Sequence, residues 1–216
     1  MPVVSRTRTD GVVGRLLAAA DGLLIDVDGT LVDSSAPVRR VWTAFADRHG
    51  ADPEAVLRAA SGRPSRETVR RFAPPAEHAR EAELLERGEL DDPAGIRALP
   101  GAAELLASGS PLVVVTSCSR ALMRVRLGAA GLPIPKLAVT ADDVVHGKPD
   151  PECFLRGAAA LRLAPKRCLV IEDSPAGVAA ARAAGSPVVA VRTTHPDVQL
   201  ADADAIVDTP ADLLAR

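Results

Sequence analysis

Two aspartates separated by a single residue directly follow an apolar segment near the start of the chain. The run Leu23–Val32 reads L-L-I-D-V-D-G-T-L-V, which places the acids at Asp26 and Asp28. The apolar residues predict a buried strand, and a buried carboxylate without a partner is costly to remove from water. Two carboxylates this close repel each other, so a cation is a natural partner, and hard oxygen ligands suit Mg²⁺. For this segment alone, an ordinary Asp- and Gly-rich turn after a strand is an equal alternative.

Size and composition restrict the possible classes of function. The 216 residues, 47% of them hydrophobic and 25% charged, suffice for one core or a core with a small second domain. A net charge of −2 gives no reason to expect nucleic acid or an anionic membrane as a partner. No stretch is apolar enough to span a membrane, and residues 1–10 lack the apolar core of a signal peptide. Cys118, Cys153 and Cys168 have no metal-ligand spacing, so we expect a reducing, cytoplasmic setting.

Short apolar runs alternate with Ala-rich stretches along most of the chain, which predicts an α/β fold with a parallel sheet. The predicted strands are Gly22–Ile25, Leu112–Val115, Leu137–Val139, Cys168–Ile171, Val188–Val191 and Ala205–Val207. The predicted helices between them are Ala102–Ser108, Arg120–Ala130, Glu152–Leu161 and Ala176–Ala184.

Residues 36–97 contain no convincing strand in their sequence. Val38, Val41, Trp42 and Phe45 recur at helical spacing, and similar spacing returns within residues 56–60 and 69–72. A stretch of about 60 residues is too long for a simple connection. We therefore expect a helical cap domain over residues 35–98, inserted into a core formed by residues 1–34 and 99–216. The alternative is a long surface excursion of a single domain.

Polar side chains are predicted to gather where the parallel strands end, which is where open α/β sheets bind their ligands. This edge would carry four acids, two hydroxyls and one lysine: Asp26, Asp28, Glu172, Asp173, Thr116, Ser117 and Lys148. The set suits phosphoryl transfer, because a carboxylate can attack phosphorus while a metal ion, a lysine and hydroxyls neutralise the phosphate oxygens.

Each of these residues also has an ordinary explanation. Thr116 and Ser117 could simply end a strand, and Lys148 could be a solvated lysine. The two acids that follow Ile171 could cap the next helix, since acids are favourable at a helix N-terminus. The joint order of acids, hydroxyls, lysine and acids along successive strands favours a catalytic site.

The ordered segments resemble the four motifs of the haloacid dehalogenase superfamily of phosphohydrolases. They are Asp26–Thr30, Val115–Ser117, Lys148–Pro149 and Ile171–Gly177. The resemblance spans about residues 23–193 and is greatest to the small-cap (C1) sugar and polyol phosphatases, which include hexitol-phosphate, 2-deoxyglucose-6-phosphate and glycerol-phosphate phosphatases. Two features depart from the usual pattern. Ile25 and Val27 replace commoner Phe and Leu or Met, and Cys118 stands where Gly, Ser or Ala is usual.

The resemblance implies a Rossmann-like sheet with an inserted helical cap, and an Mg²⁺-dependent phosphatase that works through an aspartyl-phosphate. Asp26 would be the nucleophile and a metal ligand. Asp28 would be the general acid/base, with its backbone carbonyl on the metal. Thr116, Ser117 and Lys148 would bind the phosphate of a small sugar or polyol substrate.

Two further sets of residues are implied in the same way. Asp173 would be a metal ligand, and Glu172 would support the metal directly or through water. Arg63, Arg66 and Glu86 of the cap would select the substrate; the alternative for each is a solvated charge on a helix. Cys118 is expected to be a small packing residue, although a redox role beside the phosphate is a second possibility.

Other activities remain open. A β-phosphoglucomutase-type phosphosugar mutase or a phosphoglycolate phosphatase would use the same core. A binding module on an inactive core would be expected to lack Asp26 or Asp28, and a haloacid dehalogenase would lack the second aspartate. We expect a monomer or weak dimer whose partner is the small phosphorylated substrate, without nucleic acid or membrane.

Overall fold

The computed structural model describes residues 6–214, with side chains from residue 11 onward. The helices and strands in chain order are α1 (Arg6–Ala19), β1 (Gly22–Ile25), β2 (Val32–Asp33), α2 (Ser35–Arg48), α3 (Pro53–Ala60), α4 (Ser65–Phe72), α5 (His78–Asp91), β3 (Arg97–Ala98), α6 (Ala102–Leu106), β4 (Leu112–Val115), α7 (Arg120–Ala129), β5 (Ala138–Val139), α8 (Glu152–Ala160), β6 (Cys168–Glu172), α9 (Pro175–Ala184), β7 (Val188–Val191) and β8 (Ala205–Val207).

A six-stranded parallel sheet with the order β5-β4-β1-β6-β7-β8 lies at the centre of the fold. In β1, Leu24 pairs with Val113 of β4 on one side and with Val170 of β6 on the other. All six predicted strands are present, and the predicted α/β class is confirmed. The chain crosses from one side of β1 to the other between β5 and β6, so the carboxyl end of β1 is the switch point at which such sheets bind ligands.

The strands read as continuous apolar runs because helices cover both faces of the sheet. On one face Ile25 packs in a cluster with Leu105 of α6 and Met123 of α7. On the other face Leu24 packs with Phe154 of α8. Helix α1 was not predicted, although its Val12, Val13, Leu16 and Leu17 recur at helical spacing and join the first cluster.

Helices α2 to α5 form an insertion with its own apolar core. Trp42 and Phe45 pack edge to face at 5.5 Å between ring centroids. Val56, Val69 and Leu85, from the other three helices of the insertion, complete this core. The inserted helical cap of the predicted fold is confirmed, whereas the limits of 35 and 98 stay a prediction.

The short antiparallel pair β2–β3 lies where the chain enters and leaves this insertion. Val32 pairs with Ala98 and Asp33 with Arg97. The Arg97 guanidinium donates to Asp33 at 2.6 Å, and the same carboxylate accepts the Ser35 backbone N–H at 3.0 Å. These contacts join the two segments that connect the core to the insertion, next to the start of α2. Among the described residues, no helix is long and apolar enough to cross a membrane.

Candidate active site

A cavity of about 570 Å³ lies between the carboxyl ends of the central strands and the helical insertion. The predicted core residues Asp26, Asp28, Thr116, Ser117 and Asp173 line it. The other two predicted core residues, Lys148 and Glu172, are buried beside Asp26. The structure therefore brings all seven together, as expected for residues that follow neighbouring parallel strands.

The Lys148 ammonium joins two of the acids. Its Nζ donates to Asp26 Oδ1 and to Glu172 Oε1, both at 2.6 Å, and lies 3.3 Å from the Val115 carbonyl oxygen. Burial favours the neutral amine, but the charges of the two carboxylates raise the pKa of Lys148 well above its ordinary value. The lysine is thus held as a cation at the base of the site.

Glu172 is enclosed by hydrogen-bond donors. Its Oε2 accepts the backbone N–H groups of Asp173 and Ser174, each at 2.7 Å, and the Ser174 hydroxyl at 2.9 Å. Burial opposes ionisation, but Lys148 and the Ser174 donors lower the pKa of Glu172 below its usual range. A Cβ at position 177, on the first turn of α9, would collide with this carboxylate, which explains Gly177.

The three buried acids are placed to hold a cation. Carboxylate oxygens of Asp26, Glu172 and Asp173 lie within 4.8 Å of one another. Burial, with the charge of Glu172 adding to it and Lys148 opposing it, raises the pKa of Asp26 to about 8. Burial and the neighbouring carboxylates also raise the pKa of Asp173 well above its usual value. One ammonium does not offset three carboxylates, so the donor set suits a hard divalent cation.

The position of Asp173 depends on two residues that follow other strands. Thr194, in the loop after β7, donates its hydroxyl to Asp173 Oδ2. Gly29, after β1, has a φ of +79°, and a Cβ there would collide with the Asp173 carboxylate. Thr194 was not predicted to belong to the site, but its place just beyond β7 follows the same rule as the other residues.

Asp28 is held at both oxygens. Ser34 Oγ donates to its Oδ1 at 2.6 Å, and its Oδ2 pairs with the Arg126 guanidinium. The side chain remains 28% exposed toward the cavity. Arg126 was missed in the sequence, yet a signal exists: it falls on the apolar face of α7, beside Met123 and Leu127. A charge within a buried stripe requires a partner.

The predicted phosphate-binding hydroxyls differ in their surroundings. Thr116 Oγ1 accepts the Cys118 backbone N–H at 3.2 Å at the buried end of β4. Ser117 Oγ donates across the cavity to the Gly62 carbonyl oxygen of the insertion at 2.9 Å. Burial and the charge of Asp28 raise the pKa of the Cys118 thiol to about 12, which opposes the reactive thiolate and favours a packing role.

Three charged residues of the insertion also line the cavity. Arg66 donates to the Val145 carbonyl oxygen of the core at 2.9 Å, and Glu86 accepts the Ser119 hydroxyl at the start of α7. Arg63 pairs at 3.5 Å with Glu67, one turn further along the chain. All three therefore face the space that a substrate would enter.

The sequence model of haloacid dehalogenase-like hydrolases matches residues 20–185. The chain belongs to this family. Hexitol phosphatase A of Escherichia coli (strain K12) is 43% identical over 86% of this chain and 89% of its own length. Validoxylamine A 7'-phosphate phosphatase of Streptomyces hygroscopicus subsp. limoneus is 38% identical over 85% of this chain and 91% of its own. A crystal structure of a hydrolase from Pseudomonas syringae superposes with a TM-score of 0.82 at 26% identity, covering 90% of this chain and 96% of the other.

These comparisons confirm the family and the sugar-phosphatase resemblance inferred from the motifs. The two relatives named are phosphatases, and the enzyme class of the chain is a phosphoric monoester hydrolase. Members of the superfamily generally use a divalent metal, which agrees with the buried acids around Asp26.

Proposed function

We propose that the protein is an Mg²⁺-dependent phosphatase that hydrolyses a small sugar or polyol phosphate through an aspartyl-phosphate on Asp26. The placement of two acids carries this proposal. Asp26 borders the cavity with one oxygen fixed by Lys148, and Asp28 borders the same cavity two residues further on. A fixed nucleophile beside a separate acid/base is what a double-displacement phosphatase needs.

The two acids would act in two steps. In the first, an Asp26 oxygen bonds to phosphorus, the ester oxygen leaves, and Asp28 gives that oxygen its proton. In the second, Asp28 takes a proton from water as the water oxygen attacks phosphorus, which releases inorganic phosphate and restores Asp26. Thr116, Ser117 and Lys148 would hold the phosphoryl oxygens, because hydroxyl and ammonium groups stabilise charge that develops there.

The metal would lie between β1 and the loop after β6. Asp26 and Asp173 are the better direct ligands, together with the Asp28 backbone carbonyl, because both Glu172 oxygens already accept hydrogen bonds. Glu172 would support the metal through water and by fixing Lys148. When bound, Mg²⁺ supplies positive charge that offsets the repulsion between the acids and the substrate phosphate.

The substrate class rests on the relatives and on the polar groups above the cavity. The two named relatives are a hexitol phosphatase and a validoxylamine A 7'-phosphate phosphatase. Arg63, Arg66 and Glu86 would meet the hydroxyls of such a substrate. We further propose a cytoplasmic location, in keeping with Cys118, Cys153 and Cys168 as free thiols. The enzyme would act as a monomer or weak dimer, without nucleic acid or membrane as a partner.

A substrate panel tests this proposal. Purified protein, stripped of metal and then supplied with Mg²⁺, would be given hexitol, 2-deoxyglucose-6-, glycerol and glycolate phosphates, and also β-glucose 1-phosphate. We expect Mg²⁺-dependent release of phosphate, fastest from a sugar or polyol ester. Preference for glycolate phosphate, interconversion of hexose phosphates without phosphate release, or full activity after metal removal would each contradict the proposal.

A further inference from the structure

One buried guanidinium joins the acid/base candidate to the helical insertion. Arg126 of α7 pairs through Nη1 with Asp28 and through Nη2 with Glu89 Oε2, the latter at 2.8 Å. The side chains of Arg126 and Glu89 are each only 6% exposed. Because the guanidinium is planar and rigid, the two carboxylates have fixed positions relative to each other while both contacts are made.

Glu89 belongs to the insertion rather than to the core. It lies on α5 and lines the cavity together with Trp42 of α2, whose side chain opposes the rise that burial causes in the pKa of Glu89. Trp42 in turn packs against Phe45 in the apolar core of the insertion. A row of paired charges thus runs from Asp28 through Arg126 to Glu89, on a helix of the insertion.

This row has an energetic consequence. Little of the Arg126 side chain is exposed, and breaking one contact of a buried ion pair leaves an uncompensated charge. If the insertion moved away from α7, Glu89 would leave Arg126, and Asp28 would lose the fixed position of the guanidinium that holds it. Ser34, which holds the other Asp28 oxygen, directly precedes α2, the first helix of the insertion.

We propose that Arg126 is a positioning residue for Asp28, and that Glu89 makes this positioning depend on the insertion being seated on the core. The inference rests on the proposed function only in taking Asp28 as the acid/base. It explains why a charged residue occupies the apolar face of α7. Proton transfer to the leaving group would then be efficient only in the closed enzyme.

A comparison of leaving groups separates this role from a structural one. Phenolate is a strong base and needs a proton as it leaves, whereas p-nitrophenolate leaves readily without one. Misplacing Asp28 should therefore slow the first step with phenyl phosphate much more than with p-nitrophenyl phosphate. Both esters lack sugar hydroxyls, so the result is independent of the natural substrate.

The experiment uses Arg126→Lys, which keeps the positive charge but lacks the rigid planar fork that fixes both carboxylates, and Glu89→Gln, which keeps the shape but removes the charge. Arg124→Lys, exposed on the same helix, is the matched control. We expect Arg126→Lys to lower the single-turnover rate with phenyl phosphate about 100-fold, within the range for loss of acid catalysis. In the same variant, the burst rate of p-nitrophenolate release and KM should change less than about threefold. Glu89→Gln should lower the phenyl phosphate rate about tenfold.

A double-variant cycle provides the decisive comparison. In an Asp28→Asn background, Arg126→Lys should cost no further activity, because its effect acts through the carboxylate already removed. Equal losses with both esters, an undiminished loss in the Asp28→Asn background, or no loss in either single variant would overturn the proposal. Failure of the substrate proposal would appear separately, as wild-type enzyme active on aryl phosphates but on none of the sugar or polyol phosphates.

Discussion

Replacing Lys148 with methionine should both destabilise and inactivate the protein, because it removes the ammonium that pairs with Asp26 and Glu172. The ammonium contacts Asp26 and Glu172, each at 2.6 Å, and the side chain is 2% exposed. Removing one member of a buried ion pair costs on the order of 3–5 kcal/mol. We expect the lower end, about 3 kcal/mol, because Glu172 keeps three donors from the start of α9 and Asp26, with its raised pKa, can take up a proton.

Urea unfolding of the metal-free proteins measures this cost, with Lys166→Met, an exposed lysine, as the matched control. A second variant, Glu172→Gln, removes the charge that Lys148 balances. The double variant Lys148→Met/Glu172→Gln should recover more than half of the lost stability, because the Glu172 charge that loses its partner in Lys148→Met is then removed as well. Turnover should be lost in Lys148→Met and in the double variant alike. A cost below about 1 kcal/mol, or strictly additive effects, would refute the buried-pair reasoning.

Three further predictions follow from the cavity and its acids. The pKa of Asp26 is raised to about 8, so the folded state keeps a proton that the unfolded chain releases near pH 4; this contribution to stability is complete below about pH 4 and is lost as pH rises through 8. The melting temperature of metal-free protein should therefore fall across that window, and it should fall less with saturating Mg²⁺. Identical slopes with and without Mg²⁺ would argue against a cation at these acids. Arg63→Ala or Glu86→Ala should change the kcat/KM ratios among sugar and polyol phosphates by the roughly 1–3 kcal/mol typical of a lost hydrogen bond, with hydrolysis of p-nitrophenyl phosphate nearly unaffected. An equal change in kcat/KM for all substrates would assign specificity to the core. Gly29→Ala should lower the free energy of unfolding by about 1–2 kcal/mol, because position 29 has a left-handed backbone. It should also weaken Mg²⁺ binding in calorimetry, because the added Cβ collides with Asp173. Unchanged metal affinity would contradict that contact.

The core of the site was predictable from sequence because its geometry follows from topology. Once parallel strands are assigned, residues at their carboxyl ends must meet at one edge, and this rule places Asp26, Thr116 and Asp173 together. The rule needs only strand assignments, and those came from continuous apolar runs such as Leu112–Val115. Their ends were predicted to within one residue.

The features that the sequence did not predict depend on contacts between segments that are distant in sequence. The pairing of Glu89 with Arg126 joins residues 37 apart in sequence, on helices whose mutual placement no local pattern defines. Helix α5 carries buried acids at Glu81 and Glu89, which weaken its apolar periodicity. Helix α1 was overlooked because its first turns are polar, although Val13 and Leu17 later give it an apolar face.

Trapping the covalent intermediate tests the central claim most directly. Asp28→Asn enzyme with Mg²⁺ would be mixed with p-nitrophenyl phosphate, quenched in acid, and measured by intact-protein and peptide mass spectrometry. The readily departing p-nitrophenolate permits the first step, while the missing base slows release of the phosphoryl group. We expect one phosphoryl group per chain, on the peptide that contains Asp26, and none in Asp26→Asn. Turnover of p-nitrophenyl phosphate by Asp26→Asn near the wild-type rate, or a phosphoryl group on any other residue, would contradict the account.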